Sequence, residues 1–104
     1  MPDETETPVL DTILDLTAVS IARCGLDPDE LVLARLAALA AVDARPMSYL
    51  AHVGPSVESG VTVERVQDLL VAIAPIIGTA RVMSAAVNIA EALGFAIAVM
   101  EETD

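Results

Sequence analysis

Lysine and tryptophan are absent from this 104-residue chain, and cysteine, histidine, tyrosine and phenylalanine each occur once. With five arginines against 16 acidic residues the formal charge is −11, so there is no basic footprint for phosphate backbones or anionic lipid surfaces. Neither nucleic acid nor a membrane is an expected partner. The lone Cys24 excludes an intrachain disulfide and any multi-cysteine metal site. His52 belongs to no ligand spacing such as HExxH, and no metal or other cofactor is expected. Also missing is an unbroken run of roughly 18 apolar residues, the length that spans a bilayer. Arg35 and Asp43 interrupt the Ala/Leu-rich stretch, Glu64, Arg65 and Asp68 open the next, and Arg81 and Glu91 flank the one after. The N-terminus, MPDETETP, is acidic where a secretory signal is basic and then apolar, which points to a cytoplasmic protein.

What the chain does have is aliphatic surface. Apolar residues make up 55% of it, nearly all Ala, Val, Leu and Ile, which is more than a small monomer can hide. Helix faces buried between copies of the chain are the natural outlet.

The length suits one domain, and the apolar spacing is helical. Residues 1–7 are expected to be a disordered acidic N-terminus, followed by a helical domain over 8–101. Pro8 to about Arg23 places Val9, Ile13, Leu16, Val19 and Ile21 mostly three to four residues apart, and Gly25 offers a stop. A start signal follows: Asp27 as cap, Pro28 at the first helical position, and Glu30 three on from the cap. That second helix should run to about Val42, its alanines allowing close approach of neighbours. Pro46 opens a third through His52, where Pro55, unable to donate to the Ala51 carbonyl, should end or kink it. Thr62 caps a fourth helix to Pro75, and a long fifth covers about Ala80 to Met100. The expected fold is all-α, a single domain of about five helices that forms oligomers.

One local constellation carries chemistry. Arg45, Ser48 and His52 fall at i, i+3 and i+7, so one helix would hold them on a shared face, although Pro46 leaves Arg45 at the helix entrance. An imidazole beside a hydroxyl and a guanidinium suits proton transfer or the binding of a small anion. The bland reading is a histidine hydrogen-bonded at a helix end or subunit contact. A Ser48/His52 nucleophilic pair lacks both a nucleophile elbow and an orienting carboxylate. Cys24, between Ile21 and Leu26, reads as a small buried hydrophobe.

From Leu26 to about Leu93 the chain resembles the carboxymuconolactone decarboxylase/AhpD-like family. The points of resemblance are Leu26-Asp27-Pro28, the Ala-rich helix, His52 as the end of the catalytic motif, Gly60-Val61-Thr62, and Gly78-Thr79-Ala80-Arg81. The family's peroxidases use CxxCxxxH with an upstream glutamate. Here Arg45 and Ser48 stand at the cysteine positions and Val32 or Leu33 at the glutamate, so thiol chemistry of that kind is not expected. The decarboxylase branch has an arginine seven before the histidine and a glutamate four before it. Arg45 and His52 match that pattern, whereas Ser48 replaces the glutamate.

The resemblance implies an AhpD-like helical domain assembling as a homotrimer or homohexamer. It leaves two functions open. One is a cofactor-free lyase- or isomerase-like enzyme on a small anionic substrate, with His52 and Ser48 catalytic and Arg45, Tyr49 and Arg81 binding. The other is a degenerate, non-catalytic ligand-binding or structural oligomer. Alkylhydroperoxidase activity ranks last.

Overall fold

The computed structural model describes residues 6–102, with side chains over 6–52 and 59–94. The N-terminal segment expected to be disordered therefore falls largely outside the described residues, as do the final two. Five helices follow in order: α1 (Pro8–Arg23), α2 (Pro28–Ala41), α3 (Pro46–Glu58), α4 (Val63–Ile77) and α5 (Thr79–Glu102). No strand occurs among the described residues.

The starts follow from local chemistry. At α2, Pro28 fills the first position, where a missing N–H costs nothing, and the Glu30 carboxylate accepts from the Asp27 N–H at 3.0 Å. Thr62 caps α4 by accepting from the Arg65 N–H at 3.1 Å. Between these helices, the Arg65 guanidinium meets the Asp29 carboxylate at 2.8 Å, and that hydrogen bond holds the Asp29 carboxyl below its ordinary range.

Of the two outcomes expected at Pro55, an end or a kink, the end is corrected. Helix α3 does not stop just after His52 but continues through Pro55 to Glu58. The ring fixes φ near the helical value, so the chain loses a single donor without having to leave the helix. Helix α4 likewise contains Pro75 and goes on to Ile77.

Helices α2 to α5 form the packed body, with α5 against α2, α3 and α4, and α2 against α3 and α4. The core is one stripe from each helix: Val32, Leu36 and Ala40 of α2, Tyr49 of α3, Leu70 of α4, and Ala85, Ile89 and Ala92 of α5, with Val61 from the loop before α4. Spacings of three and four residues put each set on one face. Alanine at three of these places, with Ala40 fully buried, lets the backbones approach closely.

The α2–α3 turn is fastened to α5. Helix α2 ends with Asp43 at φ 55°, the left-handed conformation of a helix C-terminus, and the Asp43 and Ala44 N–H groups donate back to the Ala40 and Leu39 carbonyls. Side chains of α5 then satisfy what remains. Arg81 donates to the Ala41 carbonyl at 2.7 Å, Asn88 to the Ala44 carbonyl at 2.9 Å, and Ser84 to the Asp43 carboxylate at 2.6 Å.

Helix α1 is different. None of its residues is buried, and it packs closely on no other helix. Among the described residues its side-chain tie to the body is a hydrogen bond from Arg35 to the Ser20 hydroxyl at 3.1 Å.

Tyr49 is 1% exposed, and its hydroxyl has no hydrogen-bond partner. Burial, with the Asp43 charge adding to it, pushes the phenol above its ordinary pKa. A buried hydroxyl without a partner costs about 1–3 kcal/mol, whereas removing a satisfied one costs about 1 kcal/mol. Tyr49→Phe is accordingly expected to leave stability unchanged or raise it by about 1 kcal/mol in urea unfolding, and a loss of that size would show that the hydroxyl is bonded.

Candidate functional site

His52 sits on α3 one turn past Tyr49, half-buried, and it faces toward α1 and α2. There it lines an open cleft of about 380 Å³. Helix α2 supplies Arg35, Ala38 and Leu39, with Val42 at its end, and α1 supplies Leu16, Thr17 and Ser20 as the opposite wall. The spacing within α2 explains the arrangement. Val32, Leu36 and Ala40 turn into the core, and Leu39, Arg35, Val42 and Ala38 fan out along the flank beside that stripe, with Leu39 still packed against the core.

The cleft is apolar with a polar floor. Leu16, Ala38, Leu39 and Val42 make greasy walls, and the guanidinium of Arg35, the imidazole of His52 and the hydroxyls of Thr17 and Ser20 are the groups able to hold a ligand. No lysine, aspartate or glutamate joins them among the described residues. Burial, reinforced by the positive charge of Arg35, holds the His52 imidazole below its ordinary pKa of 6.5. That favours the neutral imidazole, the form in which one ring nitrogen accepts. Arg35 spends part of its donor fork on Ser20 and keeps other N–H groups for an anion.

The remaining residues expected at the site stand elsewhere. Arg45 and Ser48 are exposed at the entrance to α3, where the Ser48 N–H donates to the Arg45 carbonyl. Tyr49 is in the core, and Arg81 caps the end of α2. None of the four lines the cleft with His52. Cys24 is half-buried and free at the end of α1. Arg35 is the residue the sequence did not reveal, because it lies 17 positions before His52, well outside any helical register with it.

The carboxymuconolactone decarboxylase family profile matches residues 8–92, from the first residue of α1 into α5. The chain belongs to the carboxymuconolactone decarboxylase family. No curated protein and no solved structure matches it. Within a carboxymuconolactone decarboxylase-family domain, then, this chain keeps a histidine in a cleft and pairs it with an arginine from the preceding helix. Among the described residues no three histidine, cysteine or carboxylate side chains cluster as metal ligands, and no helix is long and apolar enough to cross a membrane.

A lowered histidine pKa has a definite sign in stability. Well above pH 6.5 the folded and unfolded chains both hold neutral His52. As pH falls through 6.5 the unfolded chain takes up a proton that the folded chain resists, so stability is lost until the folded pKa is reached. Urea unfolding at about pH 8 and about pH 5.5 should therefore show a larger loss for the native chain than for His52→Gln, with the carboxylate contribution common to both. Equal losses in the two proteins would place His52 in open solvent.

Proposed function

We propose that the cleft binds a small, partly apolar carboxylate and that His52 moves a proton on it without a cofactor, in a lyase- or isomerase-like reaction. The observation that carries this is the pairing of a neutral imidazole with the Arg35 guanidinium in one apolar cleft. Arg35 is the anion's anchor, and the leucine, valine and alanine walls take its hydrocarbon part.

Binding would also prime the base. A bound carboxylate offsets the Arg35 charge that depresses the imidazole, so the affinity of His52 for a proton rises as the anion settles. The imidazole then accepts a proton from the carbon next to the substrate's carbonyl or carboxyl, and the C–H electron pair stays on the substrate as an enolate. Returning the proton to another carbon completes an isomerisation. In a decarboxylation His52 first takes a proton from water as the bound anion raises its affinity for one; the C–C bond to the carboxylate then breaks, its electron pair remains on carbon as CO2 leaves, and the imidazolium gives that proton to the carbon, returning to the neutral form. Ser20 and Thr17 orient the substrate through their hydroxyls.

A second reading is ligand binding without turnover. It is favoured by the absence, among the described residues, of a carboxylate in the cleft to orient His52.

Kinetics with carboxymuconolactone and related small lactone and keto acids separate the two. For a substrate that is turned over, His52→Gln should lower kcat by about 100- to 10,000-fold. Arg35→Met should weaken substrate binding by about 10- to 100-fold. Arg45→Met, outside the cleft, should change neither. Native-level turnover by His52→Gln would remove the base. Binding without turnover by the native protein would establish the second reading.

A further inference from the structure

Positive charge is so scarce in this chain that every cationic side chain can be placed. There is no lysine, and the five arginines are Arg23, Arg35, Arg45, Arg65 and Arg81. Arg65 is paired with the Asp29 carboxylate, and Arg81 donates to the Ala41 carbonyl at the end of α2. Arg45 is exposed at the entrance to α3 and Arg23 in the last turn of α1, and neither lines the cleft. Arg35 alone brings a guanidinium there. Burial and the Arg35 charge together discourage the His52 imidazole from supplying a second cation.

The seat at Arg35 suits one carboxylate. The guanidinium donates to the Ser20 hydroxyl at 3.1 Å, which leaves that hydroxyl its own proton to donate. An anion held by the remaining guanidinium N–H groups can take the Ser20 O–H as well. Away from this seat the lining is Leu16, Ala38, Leu39 and Val42, and the Thr17 hydroxyl can donate a hydrogen bond but brings no charge. A second carboxylate on the same ligand would lie unpaired against aliphatic walls, which is costly, or turn out to water and draw its hydrocarbon chain away from them. The cleft, at about 380 Å³, is near the small end for small-molecule sites, so the two ends of such a ligand cannot be kept far apart inside it. The chain's charge of −11 adds a repulsion that a dianion feels twice over.

We propose that the cleft selects a ligand with a single negative charge: an aliphatic monocarboxylate, seated on Arg35 and Ser20 with its chain along Leu16, Leu39 and Val42, while the dicarboxylate of equal length is rejected. This monocarboxylate is the substrate class for the chemistry proposed at His52, and its selection rests on that reading of the cleft as an anion site. Rejection comes from the lack of a second cation and not from a clash. The charge at the far end of the ligand therefore decides, and its bulk does not. Each methylene that enters the walls tightens binding by about three- to fourfold, the effect of one buried CH2.

Because His52 is the only histidine, its imidazole proton signals report occupancy of the cleft. They are followed at about pH 7.5, where both carboxyls of a diacid are ionised, while butanoate, hexanoate, hexanedioate and monomethyl hexanedioate are titrated in at constant ionic strength. Hexanoate should bind about tenfold tighter than butanoate. Hexanedioate should bind at least about tenfold more weakly than hexanoate, and its monomethyl ester, with one charge on the same carbon chain, should return to within about threefold of hexanoate. Arg35→Met should weaken hexanoate binding by about 10- to 100-fold. Its fold is checked through Tyr49, the only tyrosine, whose near-ultraviolet dichroism reports the α2–α5 core, and Arg35→Gln replaces it if that signal is lost. Hexanedioate binding as tightly as hexanoate, and through Arg35, would overturn the single-charge selection and leave the cleft an anion site. A monoester as weak as the diacid, or no gain from butanoate to hexanoate, would overturn it too. No movement of the His52 signals with any of the four, or hexanoate binding indifferent to Arg35, would overturn the reading of the cleft as an anion site and the selection with it.

Discussion

Helix α2 has to serve two environments at once, and the rest of the molecule is arranged around that demand. Val32, Leu36 and Ala40 bury one face against α3, α4 and α5, while Arg35, Ala38 and Leu39 line the cleft from the flank beside it. A guanidinium cannot be placed in the core without a partner, so it occupies the α2 face that the body leaves open. The position of that face is fixed by both ends of the helix. The Asp27–Pro28–Glu30 start sets its entry, and the left-handed turn at Asp43, tied to Arg81, Ser84 and Asn88, sets its exit. Since the same turn leads directly into α3, fastening it to α5 also sets the height of His52 beside Arg35.

The electrostatics of the cleft run against those of the chain. A molecule of charge −11 repels anions at long range, yet the one charged side chain that lines the cleft is the guanidinium of Arg35. Apolar walls lower the screening there and sharpen both effects of the guanidinium: attraction for a carboxylate and discouragement of a proton on His52. The same guanidinium that could meet an anion in the cleft also adds to the burial that lowers the His52 pKa.

Much of the fold was legible from short-range chemistry. The caps at Asp27 and Thr62, the helical spacing in every segment, and the order of elements that resembles the decarboxylase family all depend on residues within a few positions of one another, and each was found where expected. Whether Pro55 would end α3 or only bend it stayed open, because a proline that removes one hydrogen bond looks, in sequence, the same as one that ends a helix. The site was only half legible. His52 stood out as the single histidine in a family-like position, but its neighbour could not be found by spacing along its own helix. Arg45 sits just before Pro46, at the entrance to α3, and Arg81 is spent on the Ala41 carbonyl. Arg35 becomes visible only once α2 and α3 are packed and the three arginines can be told apart by what each one touches.

The most direct measurement follows the single imidazole of His52 by proton NMR across its titration, in the native chain and in Arg35→Met. If burial and the Arg35 charge act on His52 together, the native pKa lies below 6.5 and removal of the guanidinium moves it upward while leaving it below that value. A native pKa at or above 6.5, or one indifferent to Arg35, would show that the two residues do not share a cleft.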